Sequence, residues 1–160
     1  MTSRKTPILV AAAAAMAVAA LGASATEIGP WYQALVKPSW QPPDWLFGPV
    51  WTLIYALAAL AGVIAWRAAP SRAIRQRIIL AFAANALLNV GWSELFFRLR
   101  RPDWALIEVV PFWLSIGVLI LVLSTVNPTA GRLLLPYLAW VAFAAILNLA
   151  VVRMNPSFGA

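Results

Sequence analysis

Trp51, Tyr55 and Gly62 fall near one stripe of an apolar stretch, and Trp140, Ala144 and Asn148 recur at four-residue steps in another. Steps of three to four residues return side chains to the same face of a helix, so each set looks toward one place. The chemistry available there is that of indole and phenol rings beside small residues. Such rings stack on a flat aromatic molecule, and a dry helical pocket favours a large apolar ring. Asn85 and Asn89 add a third face at the same step. A carboxamide in lipid is disfavoured without a partner, so these side chains point inward, either to hydrogen bonds that join helices or to a cavity. Nine tryptophans in one short chain also admit a plainer role, and Trp66, Trp104 and Trp45 suit an aromatic belt at headgroup level.

Cys and His are both absent. That removes disulfides, thiol catalysis, His-based proton relays and the ordinary zinc, haem and iron–sulfur ligand sets. No hydrolytic or acid–base constellation is visible, so no conventional catalytic residue and no metal ligand is assigned.

The elements that must position these faces follow from composition. Of the 160 residues, 63% are hydrophobic and 11% charged, far from the usual balance of roughly half apolar and a quarter charged. Lipid is therefore the main solvent. A crossing of the hydrocarbon core takes about twenty apolar residues, and the chain supplies five such segments with little left over. We expect a single transmembrane domain over 1–160, an all-α bundle of five helices near 7–28, 45–66, 78–97, 104–126 and 133–153. The net charge of +7 sits mostly between the apolar runs, which suits lipid headgroups and topology better than nucleic acid.

The first run, Pro7 to Ala25, follows Arg4 and Lys5 and is mostly Ala. It reads either as a first span or as a secretory signal ending in Ala23-Ser24-Ala25. Residues 29 to 44 form the long connection, in which Pro38, Pro42 and Pro43 deny a continuous helix. Asp44 suits an N-cap for the second span, and Pro49 in its first turns predicts a late or irregular start. Arg67 to Arg77 reads as a short basic turn. In the third span Glu94 and Arg98 lie one turn apart and can pair at the interface. The fourth starts near Trp104, with Glu108 one turn in and Pro111 as a kink, and Gly131-Arg132 leads into the fifth. Lys and Arg number seven on the N-terminal side and five on the other, a small excess that nominally places the N-terminus in the cytoplasm.

Taken together these residues resemble the TspO/MBR family of tryptophan-rich membrane proteins. The likeness rests on Trp31-Tyr32, Leu35, Lys37-Pro38, Trp40, Pro42-Pro43, Trp45, Phe47, Pro49, Trp51-Thr52 and Tyr55, on Asn89, Trp92 and Phe96-Phe97, and on Pro136-Tyr137-Leu138, Trp140, Phe143-Ala144 and Leu147-Asn148. It covers residues 31 to about 155 in order and makes Pro7 to Ile28 a retained first helix. It implies a homodimer of five-helix bundles in a bacterial membrane, inner or outer being open, each with a cavity closed over by the first loop. It also implies porphyrins and similar flat hydrophobic molecules as ligands rather than permanent cofactors. Carried over by position, Trp51 and Trp140 look like the cavity tryptophans and Ala144 like the small residue beside the ligand. Tyr32, Pro42, Asn89 and Phe96 look like lining or lid, with Tyr55 and Asn148 on the inward faces already described. At Leu149 the chain departs from the aromatic that the animal members' sterol motif needs, so a sterol is not expected as the main ligand. The expected role is binding, in tetrapyrrole sensing or handling. The alternatives are transport of a hydrophobic molecule and light-dependent porphyrin degradation with Trp51 and Trp140 as redox-active side chains.

Overall fold

A computed structural model describes residues 5–158; Arg4, counted above among the basic residues, lies outside them. Helix α1 (Thr6–Ala25) is followed by a short α2 (Pro30–Ala34), then α3 (Asp44–Ala68), α4 (Arg72–Ser93), α5 (Pro102–Ser124), a short α6 (Pro128–Arg132) and α7 (Leu135–Met154). A wide π turn, Glu94–Arg98, extends α4. With that turn joined to α4 and α6 joined to α7, five segments among the described residues are long and apolar enough to cross a membrane. The chain is an all-α, multi-pass integral membrane protein.

Several helix ends differ from the sequence reading, each for a local reason. Helix α1 stops at Ala25 rather than Ile28, because Thr26 turns to extended backbone and its hydroxyl donates to Gly22 O (2.7 Å). Asp44 is not the cap of α3. Pro43 takes that position and Asp44 is the first helical residue, its carboxylate used instead by the loop described below. Nor does Pro49 delay the helix, which already runs from Asp44; the proline removes a single bond near the helix start. The basic turn shrinks to three residues, since Ser71 Oγ accepts from Ile74 N (3.3 Å) and starts α4 at Arg72. Asn127 likewise accepts from Thr129 N (2.9 Å) and Ala130 N (3.3 Å), so the last span begins at Pro128. Both are side-chain N-caps, which satisfy donors that a helix start leaves free. The Glu94–Arg98 pair forms as expected, at 3.3 Å, and α5 runs helical through Pro111.

Three buried clusters stack along the bundle. At one end, Ala61, Ala65 and Ala69 of α3 meet Ile78, Leu119, Leu123, Ala130 and Leu134. Small residues let backbones approach here, and this end is closed. In the middle, Ile54, Val109, Phe112, Ile116, Tyr137 and Val141 pack together. At the far end Tyr32, Leu35, Phe96, Ala105 and Val151 form a cap of loop and helix ends. Around the ring α1 packs on α3 and α4, α4 on α5, and α5 on α7. Aromatic side chains close it from α3 to α7, with Trp51 on Tyr137 (6.0 Å between centroids) and Phe47 on Trp140 (5.5 Å).

The closed end carries a testable constraint. A Cβ on Gly131 would meet Ile120 O at 2.9 Å, and a backbone oxygen in a packed helix cannot give way cheaply. We expect Gly131→Ala to cost about 1 to 3 kcal/mol, the usual range for overpacking, read as a lower unfolding midpoint in detergent. Gly29, with nothing within 4 Å of an added Cβ, is the control and should change little.

Candidate ligand cavity

Between the loop-side halves of α1, α3, α4 and α7 lies a cavity of about 600 Å³. Its α1 wall is Ala19, Gly22 and Ala23, with Thr26 just past the helix end, a stripe of small residues that leaves the space open. From α3 come Phe47, Gly48, Trp51, Thr52 and Tyr55, and from α7 Trp140 and Ala144. Asn89, Trp92 and Ser93 add to it from α4, and Phe97 from the π turn. Trp51 stacks on Tyr55 with centroids 5.4 Å apart, as expected of aromatic rings one turn apart on a helix. Trp140 is flanked by Phe47 and Phe143 at 5.5 Å each. The two tryptophans thus reach one space from two neighbouring helices.

The floor of the cavity is a chain of side-chain hydrogen bonds through four helices. Tyr55 Oη donates to Asn89 Oδ1 (3.0 Å), and Asn89 Nδ2 donates to Tyr137 Oη (3.0 Å). Tyr137 Oη donates to Asn85 Oδ1 (3.1 Å), and Asn85 Nδ2 donates to Ser115 Oγ (2.9 Å). Ser115 Oγ ends the chain on Phe112 O (2.6 Å). The two readings of the asparagines therefore divide: Asn85 joins helices, whereas Asn89 both joins them and borders the cavity.

A lid covers the far end. Residues 26–43 cross it with α2 as their one helical turn, and Tyr32 and Leu35 are buried beneath. Tyr32 Oη and Gln41 Nε2 both donate to Asp44 Oδ1 (3.1 Å each). Lys37 Nζ stands 3.7 Å from the Tyr32 ring centroid. The tail after α7 fastens the lid from the other side. Val36 N donates to Asn155 Oδ1 (3.0 Å), and Asn155 Nδ2 donates to Val36 O (2.9 Å) and Val151 O (2.7 Å). Phe158 meets Trp31 edge-on at 6.2 Å.

This geometry gives two expectations for the lid. Asn155→Ala removes three hydrogen bonds of about 0.5 to 1.5 kcal/mol each, part of which water restores at this exposed site. Proteolytic nicking within residues 26–43 should accelerate roughly tenfold, since cleavage follows the open population. The second concerns pH. Burial, and then the charge of Asp44, push the Tyr32 phenol up to about 12 from an ordinary 10. A group whose folded pKa is raised contributes stability that is complete below the unfolded value and is lost as pH rises through the folded one. Lid protection against nicking should therefore hold up to pH 10 and fall between 10 and 12, and Tyr32→Phe should flatten that fall.

Of the residues predicted from sequence, Tyr32, Trp51, Tyr55, Asn89, Trp140 and Ala144 come together on the cavity wall. Phe96 and Asn148 do not line it. They border a small side lobe of about 50 Å³ beneath the lid, which Tyr32 and Ala144 also touch. Asn148 is 1% exposed, and with its amide turned to match its neighbours it donates to Pro102 O and accepts from Leu106 N (3.1 Å each). It thus ties α7 to the first turn of α5. Pro42 lines neither space and shapes the loop instead. Trp45, assigned to the belt, is 71% exposed and also stands at the cavity rim.

Sequence reasoning passed over Trp92, Tyr137 and the α1 stripe. Trp92 follows Asn89 by three residues and stacks on Phe96 at 5.1 Å, so helical spacing alone could have placed it. Tyr137 precedes Trp140 by three residues, yet its role as hub depends on which residues of α4 lie opposite.

A five-helix membrane bundle with a lidded, tryptophan-walled cavity is the class of protein that fold and site define. Residues 8–154 match the TspO/MBR family. The tryptophan-rich protein TspO of Chlorobaculum tepidum is 41% identical over 130 residues, 79% of this chain and 80% of that one. The translocator protein of Sus scrofa is 38% identical over 126 residues (78% and 75%), and protein CrtK of Rhodobacter capsulatus 32% over 143 (88% and 89%). The chain belongs to the TspO/MBR family.

Proposed function

We propose that this protein binds a porphyrin or similarly flat hydrophobic molecule within the cavity and acts as a membrane receptor in tetrapyrrole sensing or handling. The observation that carries the reading is one space of about 600 Å³ faced by both Trp51 and Trp140. That volume lies within the 300 to 1,000 Å³ or so typical of small-molecule sites. Indole faces stack on a planar macrocycle, the small residues of α1 and Ala144 leave room for its edge, and the lid shields it from water. No step of this role requires a bound metal or a permanent cofactor. A homodimer with one cavity in each protomer belongs to the same proposal.

The test is a dark titration of purified protein with protoporphyrin IX, followed by tryptophan fluorescence. Saturable quenching at one porphyrin per protomer, with slower nicking of the lid at saturation, is the expected result. Quenching that rises without saturation, or equal nicking rates with and without porphyrin, would remove the proposal. A new absorbing product under light that vanishes in Trp51→Phe or Trp140→Phe would point to degradation instead.

A further inference from the structure

The charges of this chain are sorted by end. All five carboxylates, Glu27, Asp44, Glu94, Asp103 and Glu108, lie at the lid end or in the half of the bundle below it. Most of the lid-end cations are engaged, with Arg100 standing 6.0 Å from the Trp31 ring centroid. Arg98 pairs with Glu94 and Arg101 with Asp103, while Lys37 stands over the Tyr32 ring.

Among the described residues the closed end has no acidic side chain and carries Lys5, Arg67, Arg72, Arg75, Arg77 and Arg132, all exposed. Three of these arginines occupy the first two turns of α4, whose first turn holds no acid and where the helix dipole disfavours cations. Arg75 stands 5.3 Å from the Trp66 ring centroid. Arg132 Nε donates back to Pro128 O (3.3 Å), which holds that guanidinium at the same end. So strong a one-sided field needs anions from outside the protein.

The depth of the patch says which anions. Helix α1 has 20 residues, about 30 Å at 1.5 Å per residue, so one end of the bundle lies among the headgroups of a leaflet. Trp66, a half-buried indole at that end, has the place of a belt residue. Guanidinium groups match phosphate oxygens in a two-pronged geometry, and basic clusters next to spans attract anionic lipid. We propose that the closed end of the bundle is a binding surface for anionic phospholipid headgroups, centred on Arg72, Arg75, Arg77 and Arg132 beside Trp66. The face then has two effects. It gathers a local shell of acidic lipid, and it fixes the closed end in the more anionic leaflet, which turns the lid toward the opposite side.

The experiment uses the full chain in phosphatidylcholine vesicles containing either brominated phosphatidylglycerol or brominated phosphatidylcholine at equal fractions. Bromine quenches nearby indoles, and the difference between the parent and Trp66→Phe isolates Trp66. The anionic lipid should quench Trp66 more strongly than the zwitterionic one, and salt should erode the difference. Each basic residue near an anionic surface changes partition roughly fivefold, so Arg72→Gln/Arg75→Gln/Arg77→Gln should abolish the preference at unchanged helicity. Arg98→Gln/Arg153→Gln, at the lid end, should leave it intact. Equal quenching by both lipids in the parent would overturn the proposal and leave the face to an acidic polypeptide. Retention of the preference in the triple variant would overturn it too.

Discussion

Tyr137→Phe should lower the unfolding free energy of the bundle by about 2 kcal/mol, because one hydroxyl holds two carboxamides. Without it, Asn89 Nδ2 loses its acceptor and Asn85 Oδ1 loses its donor, both in the buried middle of the molecule. A buried polar group left unpaired costs about 1 to 3 kcal/mol. Hydrogen bonds within membranes average nearer 0.6 kcal/mol where freed groups find new partners. The higher figure applies to Tyr137, which is 4% exposed, because Asn85 and Asn89 are held by further bonds and have little freedom to re-pair. Tyr55→Phe frees a single acceptor, Asn89 Oδ1, where Tyr137→Phe frees two groups, and should cost less than about 1 kcal/mol. Unfolding curves in mixed detergent for both variants check the order. Equal losses at the two positions would mean that the chain of bonds has no buried hub.

Ala144→Leu should weaken porphyrin binding by roughly 5- to 150-fold while the bundle still folds. Ala144 touches both the main cavity and the side lobe, so added methylenes enter the space that the ligand would take. Forcing such volume into an occupied site typically costs about 1 to 3 kcal/mol, here charged to the complex rather than to the free protein. Direct titration at matched helicity is the check. Unchanged affinity would move the ligand away from α7.

The five spans were legible because an apolar run of about twenty residues has few other uses. Their ends were less so. Ser71 and Asn127 decide where α4 and the last span begin, and such a cap is a matter of one side chain meeting a backbone N–H, which periodicity does not report. The inward faces were legible for the opposite reason: Trp51 and Tyr55, or Trp140 and Ala144, share a face whatever surrounds them. What spacing could not supply was register between helices. Tyr137 lies opposite both Asn85 and Asn89 because of the heights at which α4 and α7 pack on α5, and Asn148 meets α5 rather than the cavity for the same kind of reason. Trp92 is a different case, since its offset of three from Asn89 was readable from helical spacing.

The proposed binding site depends most directly on Trp51 and Trp140 facing one ligand. Dark porphyrin titrations of the parent, Trp51→Phe, Trp140→Phe and the double variant, with Trp66→Phe and Trp104→Phe as controls, measure it. Each cavity tryptophan should contribute near 1 kcal/mol of stacking and burial, and the double variant should depart from the sum of the singles, because residues that share a partner couple whereas distant ones add. The controls should bind as the parent does. Strict additivity, together with equal losses at Trp66 and Trp104, would contradict the cavity as the binding site.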